Sequence, residues 1–115
     1  MSDTMRDMSV TDLQFAVLSS LASGRRHGYG LLRDAEDQLE KSLPIATLYA
    51  ALESMASKGW ILPDGEEVVH KRTRRYYVLS TDGMQILKRR ADQLAAQAQL
   101  AQRRLREVNG KAVTA

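Results

Sequence analysis

Apolar positions along the chain recur at helical spacing in three short segments, switch to a strand-like pattern, and then return to helical spacing over one long segment. The first segment, Thr11 to Ser23, carries Leu13, Ala16, Val17, Leu18 and Leu21, which is apolar on more than one face. A helix of that kind should be sandwiched between two neighbours. Thr11 and Gln14 have the spacing of a capping box, and Gly24 follows as a stop signal. After the connection Arg25-Arg26-His27, a second helix is expected from about Gly28 to Leu39, with Tyr29, Leu32, Ala35 and Leu39 at helical steps and acids on its polar face. Pro44 suits a first helical turn, because its φ is fixed and it has no N–H to satisfy. Ile45, Leu48, Leu52 and Met55 then define the buried face of a third helix that ends at Lys58-Gly59.

Beyond Gly59 the pattern changes. Trp60, Ile61 and Leu62, the turn signal Pro63-Asp64-Gly65, then Glu67, Val68 and Val69, and later Arg75-Tyr76-Tyr77-Val78-Leu79 predict two antiparallel strands joined by a basic tip, His70 to Arg74. Pro63 cannot donate to a ladder and belongs at an edge or in a bulge. A last helix is expected from Ser80 or Thr81, both good N-caps, to a stop at Gly110, with the tail 111–115 frayed. Within it Met84, Leu87, Ala91, Leu94, Ala98, Ala101, Leu105 and Val108 alternate at steps of three and four. This is a heptad seam about 37 Å long, too long for a head of this size to bury. A second copy of the chain can cover it, with Leu13 and Val17 of the first helix contributing; helix orientation is left open by the pattern.

Composition narrows the picture. A chain of 115 residues with 43% hydrophobic content supports one core and an appended element. No cysteine is present, which removes disulfides and thiolate metal sites and suits a reducing, cytoplasmic compartment. No apolar run approaches a membrane span, and residues 1–7 lack the apolar core of a signal peptide. The net charge of +3 says little until its placement is considered. Lys71, Arg72, Arg74, Arg75, Lys88, Arg89 and Arg90 face only one acid, Asp82, in that stretch, whereas Asp34, Glu36, Asp37, Glu40, Asp64, Glu66 and Glu67 lie elsewhere in the sequence. One basic face and an acidic remainder are expected, as for a polyanion partner.

Three helices, a basic hairpin and a long helix make a mainly α, α+β fold: a winged helix-turn-helix head over residues 10–80, with a two-stranded β-wing, and a dimerisation helix over 81–110. Four local motifs carry a resemblance. They are His27-Gly28-Tyr29-Gly30-Leu31-Leu32, Ala46-Thr47-Leu48-Tyr49-Ala50-Ala51-Leu52, Lys58-Gly59-Trp60-Ile61, and Arg74-Arg75-Tyr76-Tyr77-Val78-Leu79-Ser80-Thr81-Asp82-Gly83. On these the chain resembles the PadR family of transcriptional regulators from about Leu13 to Val108, in its shorter form with a single C-terminal helix. The resemblance implies a repressor, with double-stranded DNA as partner and a dimer geometry that answers to a small-molecule or protein effector of unknown identity. Two positions depart from the family pattern. The wing tip lacks a glycine-rich turn, and Ala46 stands where glycine is frequent.

In a helix-turn-helix the second helix enters the major groove and its N-terminal residues reach the bases. Ala46, Thr47, Tyr49, Ala50 and Glu53 are left to face outward on the third helix. Spacing alone fits Tyr49 equally as a half-buried core aromatic, and Thr47 as a cap; the resemblance favours contact with DNA. Lys71, Arg72, Arg74 and Arg75 suit phosphate neutralisation, against the plainer reading of a solvated charged turn. His27 is expected to cap the second helix or touch a phosphate, with Tyr29 beside it. With only two histidines and no ligand spacing, no metal or other cofactor is expected. No nucleophile with a base, paired acids or phosphate-binding loop supports an enzyme. The competing reading is a winged-helix protein-interaction module without DNA binding.

Overall fold

The computed structural model describes residues 9–109 of the chain. Its elements run α1 (Asp12–Ala22), β1 (Arg26–His27), α2 (Gly28–Leu39), α3 (Ile45–Ser57), β2 (Ile61–Val69), β3 (Arg72–Leu79) and α4 (Thr81–Asn109). This is the mixed α and β winged-helix arrangement with a long final helix that the apolar pattern predicts. The expected stop at Gly110 and the tail 111–115 lie outside the described residues.

Helix α1 begins with the reciprocal cap its sequence encodes. The Thr11 hydroxyl accepts the Gln14 N–H at 3.1 Å, and the Gln14 side-chain oxygen accepts the Thr11 N–H at 3.0 Å. Ala16, Val17, Leu18 and Leu21 are all buried, so α1 is the central rod of the core. Leu31 and Leu32 from α2, Leu48, Leu52 and Met55 from α3, and Trp60, Ile61 and Ile86 pack in the same cluster. Val17, expected on a face shared with a second copy, is completely enclosed by its own chain and offers no surface to a partner. Leu13 stays half-buried at the edge of the cluster.

The crossing of α1, α2 and α3 is fixed by polar contacts as well as packing. Gln38 on α2 donates to the Ala16 carbonyl of α1 at 3.0 Å, and the Glu36 carboxylate accepts the Leu43 N–H at 2.9 Å, fastening the turn into α3. Buried carbonyls and N–H groups satisfied in this way set interhelical registry that apolar contact alone leaves loose.

The sheet has three strands, in the order β1-β3-β2, where the sequence predicts two. Arg26 and His27 pair antiparallel with Tyr77 and Tyr76. Two residues are too short to show an alternating pattern, which is why the third strand is invisible in the sequence. Their extended path follows from neighbouring needs: Arg26 donates to the Ser20 carbonyl at 3.2 Å, and His27 must be extended to cap α2. Strand β2 is an edge strand, and its pairing with β3 slips between Pro63 and Glu66. Pro63 therefore occupies both of its expected settings at once, an edge and a bulge.

Helix α4 leaves the head through a tight joint. Ser80 donates its hydroxyl to the carbonyls of Gly59 and Trp60, at 2.6 and 2.9 Å, and the same oxygen accepts the Gly83 N–H at 2.9 Å. Ile86 then enters the core, while Met84, Ala98, Ala101, Leu105 and Val108 of the seam stay exposed and Leu87, Ala91 and Leu94 are half-buried. At 29 residues α4 is about 43 Å long, and it gives the molecule its longest dimension of 64 Å.

Candidate nucleic-acid interface

The start of α2, the first turn of α3 and the strand β3 converge on a cleft of about 610 Å³. Of the residues singled out in the sequence, His27, Tyr29, Tyr49, Arg72, Arg74 and Arg75 line it together. Ala46, Thr47 and Ala50 lie on the exposed side of the same α3 helix, and Lys71 stands at the tip of the hairpin, outside the cleft lining.

His27 takes the capping role expected of it: its Nδ1 accepts the Gly30 N–H at 3.2 Å. That bond requires an unprotonated Nδ1. Desolvation, with the Arg74 charge adding to it and Glu67 opposing, holds the imidazole pKa below its ordinary value, which preserves the cap. Tyr76 meets the His27 ring edge-on at 5.5 Å between centroids.

Tyr49 is not part of the core cluster. Its ring lies over Gly28, where a Cβ would come within 3.2 Å of the ring and of the hydroxyl, yet half of the side chain is exposed to the cleft. Gly28 is thus what lets the aromatic settle onto the α2 N-terminus.

Ile45 departs from expectation. The apolar period places it on the buried face of α3, but it is 38% exposed and lines the cleft. The helical step from Ile45 to Leu48 is regular; the first turn simply lies at the rim of the head, where no element covers it. Arg33 is a cleft residue that the sequence reading does not single out. It sits one turn beyond Tyr29 on the same face of α2, and that i, i+4 relation is the available signal.

The expected split between a basic face and distant acids is also corrected. Hairpin pairing sets Glu66 opposite Arg75 and Glu67 opposite Arg74. Arg75 lies 3.4 Å from the Glu66 carboxylate, and the Tyr76 hydroxyl donates to Glu67 at 2.8 Å, a bond that raises the phenol pKa. Among the described residues Lys71, Arg72, Arg74 and Arg33 make no ion pair. Within the wing, the cations left without acid partners are therefore Lys71, Arg72 and Arg74, with Arg33 beside them in the cleft wall.

Arg25, absent from the sequence-predicted set, braces this wall. Its guanidinium donates to the Asp64 carbonyl at 3.0 and 2.8 Å, lies 3.0 Å from the Asp64 carboxylate, and covers the Tyr76 ring at 3.8 Å. The bulge in β2 is thereby tied to β1 and β3, stiffening the wing root. The hairpin tip is a two-residue turn, His70-Lys71, with φ of 50° and 64°. Positive φ at both central positions gives the turn that matches strand twist, normally taken by Asn and Gly.

Helix, crossed helix and cation-bearing β-hairpin around one cleft define a winged helix-turn-helix protein. The chain matches the transcriptional regulator PadR-like family over residues 17–89, and it belongs to that family. No curated protein matches it in sequence. Among solved structures, a PadR family transcription regulator from Clostridium difficile R20291 is 24% identical, with a TM-score of 0.67 over 83% of this chain and 99% of that one. A transcriptional regulator from Clostridium thermocellum, 19% identical, has a TM-score of 0.65 over 88% of this chain and 96% of that one. Bacillus subtilis PadR, solved in complex with operator DNA, is 24% identical with a TM-score of 0.57, over 64% of this chain and 43% of that one. Among the described residues no helix is long and apolar enough to cross a membrane.

Proposed function

We propose that this protein is a sequence-specific, double-stranded-DNA-binding repressor that works in the cytoplasm as a homodimer on a pseudo-palindromic operator. The observation that carries the reading is the convergence of the α3 N-terminus, the α2 N-terminus and the unpaired wing cations on one cleft. The α3 helix enters the major groove with Ala46, Thr47, Tyr49 and Ala50; Lys71, Arg72, Arg74 and Arg75 neutralise flanking phosphates, and His27 and Tyr29 approach the backbone between them. The Bacillus subtilis neighbour, solved in complex with operator DNA, supports DNA as the partner.

Two heads are joined through the seam of α4, from Met84 and Leu87 through Ala91, Leu94, Ala98 and Ala101 to Leu105 and Val108, with Leu13 at its margin. Residues 10–80 act as the reading unit and 81–110 as the joining helix. The half-sites then lie about one turn of DNA, roughly 10 base pairs, apart. A small-molecule or protein effector that changes the spacing of the heads relieves repression. Selection of bound fragments from random or genomic DNA tests the proposal: a recovered palindrome supports it. Retention of a stoichiometric protein partner with no DNA would overturn it in favour of an interaction module.

A further inference from the structure

The reading helix is chemically unusual. From Ile45 to Ser57 it carries no Arg, Lys, Asn or Gln, the side chains that make bidentate hydrogen bonds to guanine or adenine edges. What it exposes at its N-terminal end is apolar: Ile45, Ala46, Ala50 and half of the Tyr49 ring, beside the Thr47 methyl and hydroxyl. Ile45 has no role in the core, and it sits in a cleft whose walls carry Arg33, Arg72, Arg74 and Arg75. An apolar centre with a cationic rim fits a duplex whose phosphates meet the rim and whose major-groove floor is itself apolar. In B-DNA only one group answers to that description, the 5-methyl of thymine.

Resting on the DNA-binding reading above, we infer that the α3 helix selects its half-site chiefly by packing Ile45, Ala46 and Ala50 against thymine methyl groups, with Ile45 the main specificity-determining residue. Hydrogen-bond readout by α3 is left to Thr47, and to Glu53 as an acceptor from a cytosine amino group. The arginines supply affinity without base discrimination in the major groove.

Replacement of thymine by deoxyuridine isolates this contact. It removes the major-groove methyl and leaves Watson–Crick pairing and the minor-groove acceptors unchanged, so wing contacts are not disturbed. Duplexes carrying the half-site recovered by selection with the full-length protein would be compared with versions substituted at single thymines, inside the half-sites and outside them as controls. Each contacted methyl should be worth roughly fourfold in affinity, the transfer value of one buried methyl group. The salt slope should be unchanged, because the same phosphates stay neutralised. The variant Ile45→Ala, an exposed position that leaves the core intact, should lose the thymine preference at one position per half-site and keep it elsewhere.

Equal binding of thymine and deoxyuridine duplexes would overturn the inference while leaving DNA binding intact. So would recovery of half-sites without thymine, or full retention of every thymine preference by Ile45→Ala. Failure of the wild-type chain to retain any duplex would instead overturn the functional reading on which the inference rests.

Discussion

Gly83 lies so close to the Trp60 carbonyl oxygen that a Cβ placed on it collides with that oxygen and comes within 2.9 Å of Leu79 Cδ1. Position 83 is in the first turn of α4, where alanine would gain about 1 kcal/mol of helix propensity over glycine. Crowding against backbone that cannot move aside costs more, about 1–3 kcal/mol. Gly83→Ala should therefore destabilise the chain by about 1 kcal/mol net, against propensity, read as a lower denaturant midpoint. An unchanged midpoint would show that α4 can lift off the wing base freely, and the rigid joint built by Ser80 would be wrong.

The His27 cap makes stability depend on pH. The imidazole is held below its ordinary pKa in the folded chain, so between that lowered value and 6.5 the unfolded chain binds the proton more readily. Stability contributed by the cap is thus fully present above pH 6.5 and declines as the pH falls through the folded-state value. In His27→Asn, which caps without titrating, this part of the pH dependence should vanish. Parallel unfolding curves from pH 8 to pH 5 for both proteins decide the matter; identical slopes would assign the dependence to other groups.

Wing cations should act on all DNA alike. Arg72→Ala and Arg74→Ala should each weaken binding to specific and random duplexes by a similar factor, and each should lower the slope of log affinity against log salt by about 0.9 for every phosphate no longer neutralised. Arg75→Ala should do less, because Glu66 already holds that guanidinium at 3.4 Å. A larger effect from Arg75 than from Arg72 or Arg74 would reverse the assignment of free and paired cations.

The hairpin tip trades stability against charge. His70 and Lys71 both adopt left-handed backbone, which side chains with a Cβ favour poorly. The double variant His70→Asn, Lys71→Gly should raise stability by about 1 kcal/mol while removing one cation from the tip. Denaturant unfolding should show the gain, and titration at two salt concentrations should show weaker DNA binding. A loss of stability would mean that these side chains make contacts strong enough to outweigh the turn conformation.

Much of this fold is readable from spacing because each helix has both a period and a boundary signal: Thr11 with Gln14, His27 before Gly28, Pro44 before Ile45, Gly59 after Lys58. What escapes is anything set by three-dimensional neighbours. Strand β1 is two residues long and exists only because β3 lies beside it. The salt bridge of Glu66 with Arg75 joins residues that look segregated in a linear charge map. Ile45 obeys the helical period and is nonetheless exposed, since period gives a direction and not whether anything lies there. Val17 shows the converse: an apolar position expected to face a second copy can still be enclosed by its own chain. The cleft is legible in its main residues because capping, small outward residues and clustered cations each have a local chemical signature. Arg33 is marked only by its i, i+4 relation to Tyr29, and Arg25 by nothing local, because its partners Asp64 and Tyr76 are distant in sequence.

The seam of α4 offers the sharpest test of assembly. Leu105 is 62% exposed, and an exposed residue far from the core can be replaced within about 0.5 kcal/mol of neutrality in a lone chain. In a two-fold pair each copy buries its own Leu105, so Leu105→Asp places two desolvated carboxylates in the joint for every dimer. Leu94→Asp should act in the same direction, with some added cost inside the chain because Leu94 is already half-buried. Sedimentation at micromolar concentration should therefore show the wild type as a dimer and Leu105→Asp as a monomer with an unchanged helical spectrum. DNA binding then discriminates further: a lone head keeps its phosphate contacts but loses the gain from linking two half-sites, so specific affinity should fall by a hundredfold or more, on the order of the avidity of a bivalent ligand. If Leu105→Asp remained dimeric and bound its operator as before, the seam would not be the joint, and the heads would have to be paired through another surface.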